Sequence, residues 1–451
     1  MNLIDSTQFI VKEVSIQTKG GALNITDLIE EIHLYDNLFL PVSSGEVLIT
    51  DAAKLQERVS PNGDPIQFYI TKTPNDDFAS FVKIFRIYHI STRKNVNNTS
   101  ESYIIHFVSD ELIYSEQKKL SFGFDGKYSD LVRKILTDSR IGFGLDTKKI
   151  SEIEPTNGIR KITVPNLPPL DALEWCAKRA INDKNVPDYV FYSNIAGYNF
   201  SSLSRLLSKN PILDITFTPK NLDTGEAILE MGRARGFEIV SQEDTITKIK
   251  SGVDAGVFIG FDPLTRSIGE KTINGDDTFA SMSHANKNAA GTEIINRDRT
   301  SVKDNYQGNQ VLSSNQANRK NSKYVKKNDP SSISKEETQE LFLQQRKAIL
   351  TRLMERRMRI VMPGNFQLSS GFMVNVISPG FGAAAKTDEK DFDKTISGKY
   401  IIVGTRHILS LRRHVTVIEV ATDSTNETQK YSTTQSQESA LKAYDKITRA
   451  G

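Results

Sequence analysis

KIFRIYHISTRKNVNNTSESYIIHFVSDE, residues 83–111, is one half of a pattern that occurs twice in this 451-residue chain. A long run with a central histidine leads through a polar turn into a second run that ends in aspartate. GDPIQFYIT (63–71) precedes it. Far downstream, SGFMVNVIS (370–378), KYIIVGTRHILSLRR (399–413) and HVTVIEVATDS (414–424) follow in the same order. Laid together, His89 matches His407 and Asp110 matches Asp423. Apolar residues alternate in these runs, many of them β-branched or aromatic. They read as half-buried strands, because successive strand side chains face opposite sides. Two readings are open. Any two meanders of short strands look alike, or the chain holds two similar antiparallel β-barrel modules far apart in sequence. On the second reading, a trimer presents six similar modules in a ring, able to match a six-fold partner on one side and a three-fold partner on the other.

Working outward, FIVKEVSIQT (9–18) and SGEVLIT (44–50) complete an N-terminal module over 1–110, its strands separated by Gly-Gly and Pro-Asn-Gly-Asp turns. Residues 111–250 read as a mixed domain. In YSDLVRKILTD (128–138), Leu131, Val132, Ile135 and Leu136 form a helical stripe. PPLDALEWCAKRAI (168–181) opens with prolines, which a helix tolerates in its first turn. PDYVFYSNIAGYNF (187–200) reads as two strands around a glycine turn, with a short helix through Leu203, Leu206 and Leu207 behind it. Strands and helices do not alternate regularly, so the class is α+β and multi-domain, with mixed segments between the two strand modules.

Residues 251–333 begin with a strand segment and continue, from 282, as an Asn/Ser/Lys/Gln-rich stretch expected to be exposed or flexible. Ser334 and Glu337 fit a capping box, opening a basic helix to about Arg359 with Phe342, Ile349, Leu350 and Leu353 as its apolar stripe. That helix and the following strands make a second module over 334–424, and 425–451 is a polar tail.

Composition excludes several classes. A single cysteine, Cys176, rules out a disulfide framework and multi-cysteine zinc or iron–sulfur sites. Fifty-eight basic against fifty-five acidic residues do not make a bulk nucleic-acid binder. No stretch approaches the roughly 20 apolar residues that span a bilayer, and MNLIDSTQF lacks the layout of a secretory leader. Folding in a reducing cytoplasm is the expectation.

Motifs for chemistry are missing. TISGKY (395–400) lacks the first glycine of a phosphate loop, and neither HExxH nor GxSxG occurs. The six histidines (33, 89, 106, 284, 407, 414) are dispersed without metal-ligand spacing and are expected as sheet or surface residues. Cys176 beside Trp175 reads as a small buried hydrophobe. GRARG (232–236) could cradle phosphate or be a solvated loop. Arg346, Lys347, Arg352, Arg356, Arg357 and Arg359 could line a lumen or face a partner, or form a solvated helix face. The expectation is no enzyme, with no catalytic, cofactor-binding or metal residues.

ITVPNLPPLDALEWCAKRA (162–180) and DYVFYSNIAGYNFSSLSRLL (188–207) resemble the baseplate hub proteins of contractile-tailed bacteriophages. The likeness rests on Val164, Pro165 and Asn166, on Trp175, on Phe191 and Tyr192, and on Gly197, Tyr198, Phe200, Ser202 and Leu203. KSGVDAGVFIGFDPLTRSIGEKTI (250–273) and the closing strands are similar as well, so the resemblance covers most of 1–424. It implies a homotrimeric hub with two tube-like barrels per chain in a pseudo-six-fold ring. Such a ring joins a hexameric tail tube to a trimeric central spike, an architecture shared with type VI secretion spike proteins. It also implies a place in the virion tail baseplate after assembly in the host cytoplasm. Other baseplate proteins and a tape-measure protein would be neighbours. DNA would pass through the channel during ejection, which offers a use for the basic helix. No cofactor and no small-molecule substrate follow. A tail-associated cell-wall hydrolase and a nucleic-acid-binding module using 346–359 stay open as alternatives.

Overall fold

The computed structural model describes residues 7–72, 80–217, 232–250, 255–262, 267–274, 279–289, 310–313, 339–378, 393, 396–410 and 413–426, apart from a few positions inside these spans. Most of the polar stretch 282–333, the Ser334/Glu337 capping box and the tail after 426 lie outside the described residues.

The chain is mostly antiparallel sheet with few helices. β1 (Ile10–Thr18), β2 (Gly21–Asn24), β3 (Ile29–Asn37), β4 (Ser44–Asp51), β5 (Pro65–Thr71), β6 (Phe81–Asn95) and β7 (Glu101–Val108) pair in the order β3-β4-β7-β6-β5-β1-β2. β3 was not among the expected strands. IEEIHLYDN buries only Ile32 and Leu34 and surrounds them with acidic and polar residues.

The middle of the chain carries both helices and short strands. It runs through α1 (Asp110–Glu116), β8 (Gly123–Gly126), α2 (Tyr128–Thr137), β9 (Ile150–Ile153), β10 (Arg160–Thr163) and α3 (Pro169–Ala177). β11 (Tyr189–Asn194), β12 (Gly197–Ser202) and α4 (Leu203–Leu207) follow. The α2 stripe of Leu131, Val132, Ile135 and Leu136 packs on Leu170, Leu173 and Cys176 of α3 in one core.

β13 (Asp214–Thr216), β14 (Gly236–Ser241), a hairpin of β15 (Ala255–Asp262) and β16 (Ser267–Asn274), β17 (Asn288–Ala289) and β18 (Gln310–Ser313) lead to α5 (Gln339–Glu355). β19 (Arg356–Pro363), β20 (Met373–Ile377), β21 (Gly398–Ser410), β22 (Arg413–Thr422) and β23 (Ser424–Thr425) close the chain. The helix expected to reach Arg359 therefore stops at Glu355. Met358, Ile360 and Met362 are buried at every second residue, a period of two that only a strand satisfies.

The second strand set pairs as β14-β19-β22-β21-β20, the same order and the same antiparallel directions as β3-β4-β7-β6-β5. With Asp110 laid on Asp423, buried positions coincide: Phe85 with Tyr400, Ile87 with Ile402, Ile105 with Ile418, Val47 with Ile360. The bulges coincide too, between Ile87 and His89 in β6 and between Ile402 and Gly404 in β21. In this register His89 falls on Gly404, so its match with His407 was three residues out. The sixth strand differs between the sets, since β1 runs antiparallel to β5 and β13 parallel to β20.

GRARG (232–236) is a sheet connection. Arg233 bridges Thr216 in parallel and the Arg235 amide donates to the Val361 carbonyl at 2.7 Å, linking β13 to the β14–β19 pair. β3 and β21 join the two sets into one 13-stranded sheet.

Candidate functional site

The seam between the two strand sets is where the chain concentrates its long-range polar contacts. β21 changes partner along its length: Gly398–Ile401 pair with β20, whereas Gly404–Ser410 pair with Glu31–Asn37 of β3. The change falls at the bulged Val403, whose carbonyl accepts from the Leu38 amide at 2.7 Å. A bulge bends its strand and increases the local twist. That lets one strand leave the first sheet direction and enter the second.

A row of polar side chains crosses this seam. His33, Glu46, His106 and His89 are successive cross-strand partners on β3, β4, β7 and β6. Glu46 lies 3.8 Å from His33 Nδ1 and 3.6 Å from His106 Nδ1, and it accepts from the Tyr35 hydroxyl at 2.8 Å. Burial, reinforced by Glu46, pushes the Tyr35 phenol up to about 12. Burial pushes His106 down. Arg406 Nη2 stands 2.6 Å from His33 Nδ1, and a guanidinium only donates. Nδ1 is therefore the acceptor, and Nε2 carries the proton toward Glu31, 2.9 Å away.

Behind this row, Phe366, His407 and Leu409 from the second set finish the N-terminal core. Phe366 and Leu409 belong to the same cluster as Val47, Ile66 and Phe107. Phe366 stacks on Phe81 at 5.2 Å and lies 4.4 Å from the His414 ring. His407 Nδ1 is 3.2 Å from His414 Nε2 and 3.1 Å from Thr416 Oγ1. Burial pushes His407 down to about 3 and His414 well below the ordinary range, so both rings pack as neutral groups.

The β11–β12 hairpin is tied in at the same place. Half-buried Asp36 accepts from the Ser369 hydroxyl and from the Ser370 amide at 3.1 Å. Asn194 Nδ2 donates to the Ser370 carbonyl at 3.0 Å, and Lys83 Nζ donates to the Asn194 carbonyl at 3.1 Å. Burial raises Asp36 and lowers Lys83. Gly371 sits at φ +83°, and a Cβ there would stand 2.2 Å from the Tyr192 hydroxyl.

The six basic residues do not share a face. Arg346, Lys347 and Arg352 are on α5, while Arg356, Arg357 and Arg359 are on β19. Arg346 is turned inward and donates to the carbonyls of Pro187 at 3.2 Å and Tyr189 at 2.7 Å. Arg352 lies 4.9 Å over the Phe279 ring. Arg357 pairs with Glu419 at 3.0 Å and Arg359 with Glu238 at 3.1 Å. Lys347 and Arg359 are exposed.

The motif residues between Val164 and Leu203 occupy packed and connecting positions. Val164, Tyr198 and Phe200 are buried in the core formed around α2 and α3, and Trp175 packs against it. Phe191 stacks on Tyr198 with 6° between the rings. Pro165 and Asn166 carry the chain between β10 and α3, Asn166 at φ 51°. A Cβ at Gly197 would stand 2.4 Å from the Lys149 carbonyl. Ser202 caps α4 by accepting from the Arg205 amide at 3.2 Å, and Leu203 and Tyr192 pack in the core shared with α5 and β21. Burial pushes the Cys176 thiol up to about 12, as suits an inert hydrophobe.

Three contacts correct the reading of 282–289 as part of an exposed or flexible stretch. His284 Nδ1 is 2.7 Å from Asp423 Oδ2, Asn286 Nδ2 donates to the Lys399 carbonyl at 3.0 Å, and β17 pairs with β23. Sequence reading missed this dock and the Asp36–Ser369 contact because the partners are 139 and 333 residues apart. Among the described residues no group of three or more His, Cys, Asp or Glu side chains could hold a metal, and no helix is long and apolar enough to cross a membrane.

No protein-family model matches the chain, and no curated protein matches it. Solved structures do. The tail protein from Neisseria meningitidis MC58 is 12% identical with a TM-score of 0.51, over 92% of this chain and 97% of that one. The 43 kDa tail protein of prophage MuSo2 from Shewanella oneidensis is 9% identical with a TM-score of 0.51, over 92% of this chain and 99% of that one. At such identities the likeness is one of fold: this chain folds as those tail proteins do.

Proposed function

We propose that the chain is the structural hub of a phage tail baseplate. Three copies form a pseudo-six-fold ring that adapts a hexameric tail tube to a trimeric central spike and leaves a channel for DNA during ejection. The observation that carries this reading is the repeated five-strand order, with the same directions and the same bulge, in two sets fused through β3 and β21. Two like modules per chain turn a three-fold assembly into six similar faces, while the unlike middle domain, 111–250, keeps three-fold character. We read 1–110 and 334–424 as tube-like β-barrel modules, the second completed by β13 and β14.

The role is mechanical, with no bond-making step. Partners are two further copies, the tube ring, the spike, neighbouring baseplate proteins and a tape-measure protein, all within the virion tail. Of the six basic residues, Lys347 and Arg359 are the exposed ones that suit a lumen or partner surface. The inward turn of Arg346 onto the carbonyls of Pro187 and Tyr189 weighs against a helix dedicated to nucleic acid.

Mass measurement at micromolar concentration tests the assembly, with electron-microscope class averages to count lobes. Trimers with six lobes are expected. A stable monomer overturns the reading, as does peptidoglycan turnover by the purified protein.

A further inference from the structure

His284 stands between two groups that can only accept. Its Nδ1 is 2.7 Å from Asp423 Oδ2 and its Nε2 is 2.7 Å from the Phe279 carbonyl oxygen. A carbonyl has no proton to give, so Nε2 carries one. A second proton lies between Nδ1 and Asp423, because neither a bare ring nitrogen nor a bare carboxylate oxygen donates. The His284–Asp423 pair therefore holds two protons while both contacts stand. The stacking agrees with a ring that carries positive charge. The His284 and Phe279 ring centroids are 3.5 Å apart and the planes are 9° from parallel. Two neutral aromatic rings avoid that face-to-face arrangement, whereas a cation is drawn to a ring face.

These contacts hold one segment in place. Phe279 and Met282 wall an apolar cavity with Leu203 and Leu207 of α4 and Ile349 and Leu353 of α5. The Met282 amide donates to the same Phe279 carbonyl at 3.0 Å, the Ala285 amide to Asp423 Oδ1 at 3.3 Å and the Asn286 amide to Ser424 Oγ at 2.7 Å. Besides His284, the charged groups lining this cavity among the described residues are Asp423, between β22 and β23, and Arg352 of α5. The Arg352 guanidinium lies 4.9 Å from the Phe279 ring centroid, and Lys287 is exposed.

We infer that His284 and Asp423 form a proton-held clasp: the second proton keeps residues 279–286 against the α4–α5 cavity, and its loss releases them. With one proton gone, a single ring N–H faces two acceptors. The carboxylate keeps it, being the charged acceptor, and the bare Nε2 is left against the lone pairs of the Phe279 carbonyl. That contact opens, the stack loses its charge, and Phe279 and Met282 are freed from the cavity wall. The proton count sets the sign: the segment is held on the acid side of the step and released on the alkaline side. This is opposite to His407 and His414, which pack as neutral rings. The clasp is made within one chain, so it operates with or without the ring.

The test is amide hydrogen exchange of the full chain from about pH 5.5 to 8.5, corrected for the intrinsic pH dependence of exchange. Protection at Met282, Ala285 and Asn286 is expected to fall by up to about tenfold per pH unit through one step and then level off, as loss of one proton requires. Amides of β21 and β22 are expected to keep theirs. Deuterium uptake at the His284 ring carbon, followed by mass spectrometry of its peptide, reads the protonation of the ring in the unaltered chain. Both steps are expected at the same pH. Protection that stays flat, that falls at a different pH from the ring step, or that falls together with β21 and β22 overturns the clasp. His284→Gln has no titrating proton and is expected to abolish the step. A variant that keeps the unaltered chain's profile overturns the clasp as well.

Discussion

Tyr88 and Val403 occupy the same place in two different strands, each being the one extra residue of a bulge. Their surroundings differ. Val403 is 2% exposed where β21 meets β3, and Tyr88 is 52% exposed where β6, among the described residues, pairs with β7 alone. If a second copy fills the edge, Tyr88 is covered as Val403 is. Tyr88→Ala is therefore expected to change monomer stability by no more than about 0.5 kcal/mol, as exposed substitutions do, while weakening assembly. Urea midpoints beside concentration-dependent mass measurement check this; equal assembly by the variant counts against it.

Gly364 lies against the His414 ring, and a Cβ there would stand 2.0 Å from Cγ. Neither the backbone nor the buried imidazole can move far in a packed core. Gly364→Ala should cost about 1–3 kcal/mol, the usual range for overpacking. Denaturant unfolding measures it, and an unchanged midpoint would show that the ring has room to retreat.

Acid should loosen the seam. His407 is held at about 3 against an ordinary 6.5, chiefly by burial, and His414 is lowered by the same cause. As pH falls through 6.5 the unfolded chain takes up protons that the folded chain refuses. The stabilisation is thus complete above 6.5 and is lost progressively between 6.5 and about 3, with a slope of at most about 1.4 kcal/mol per pH unit for each ring. Asp188, raised to about 6 mainly by burial, acts in the opposite direction, because the folded chain protonates it first. Comparison with His407→Gln isolates the histidine: the variant should show a shallower fall in melting temperature from pH 6.5 to 4. Parallel curves would refute it.

Arg346→Met should destabilise by about 1–3 kcal/mol, since it leaves buried carbonyls of Pro187 and Tyr189 without their donor. Calorimetry or urea unfolding gives the number. A gain in stability would mean that desolvating the guanidinium outweighs its hydrogen bonds.

Asp423→Asn should free the 279–289 segment without unfolding the sheet. The charged partner of His284 is lost, while β21 and β22 keep their backbone pairing. Amide exchange of residues 282–289 should accelerate in the variant with the global midpoint little changed. Uniform acceleration across β21 and β22 would place the dock within the cooperative core.

Local periodicity carries much of this fold. The N-terminal strands, α2 and the β11–β12 hairpin all follow from residues adjacent in sequence. β3 is illegible because its two buried residues are outnumbered by Glu30, Glu31, Asp36 and Asn37. The basic run misleads for another reason: its helical stripe is real through Leu353, and the period changes to two at Arg356 without a breaker between them. The His89/His407 match fails because the two histidines hold different places along their hairpins, His89 opposite His106 and His407 opposite Thr416, and a shared residue type does not mark the register. The seam is the least legible part. Arg406 and His33 are 373 residues apart and come together only through the topology.

That separation also sets a timetable for synthesis. At about 5–20 residues per second, β3 waits roughly 20–70 s after leaving the ribosome before β21 is made. Through that interval the N-terminal set lacks Phe366 and Leu409 from its core and keeps an open flank. On a crowded polysome the first β21 to arrive can belong to a neighbouring nascent chain. Chains that fold in this order are open to exchanging their C-terminal halves, so a chaperone that covers the open flank, or ribosomes spaced further apart on the message, should raise the yield of correctly paired subunits.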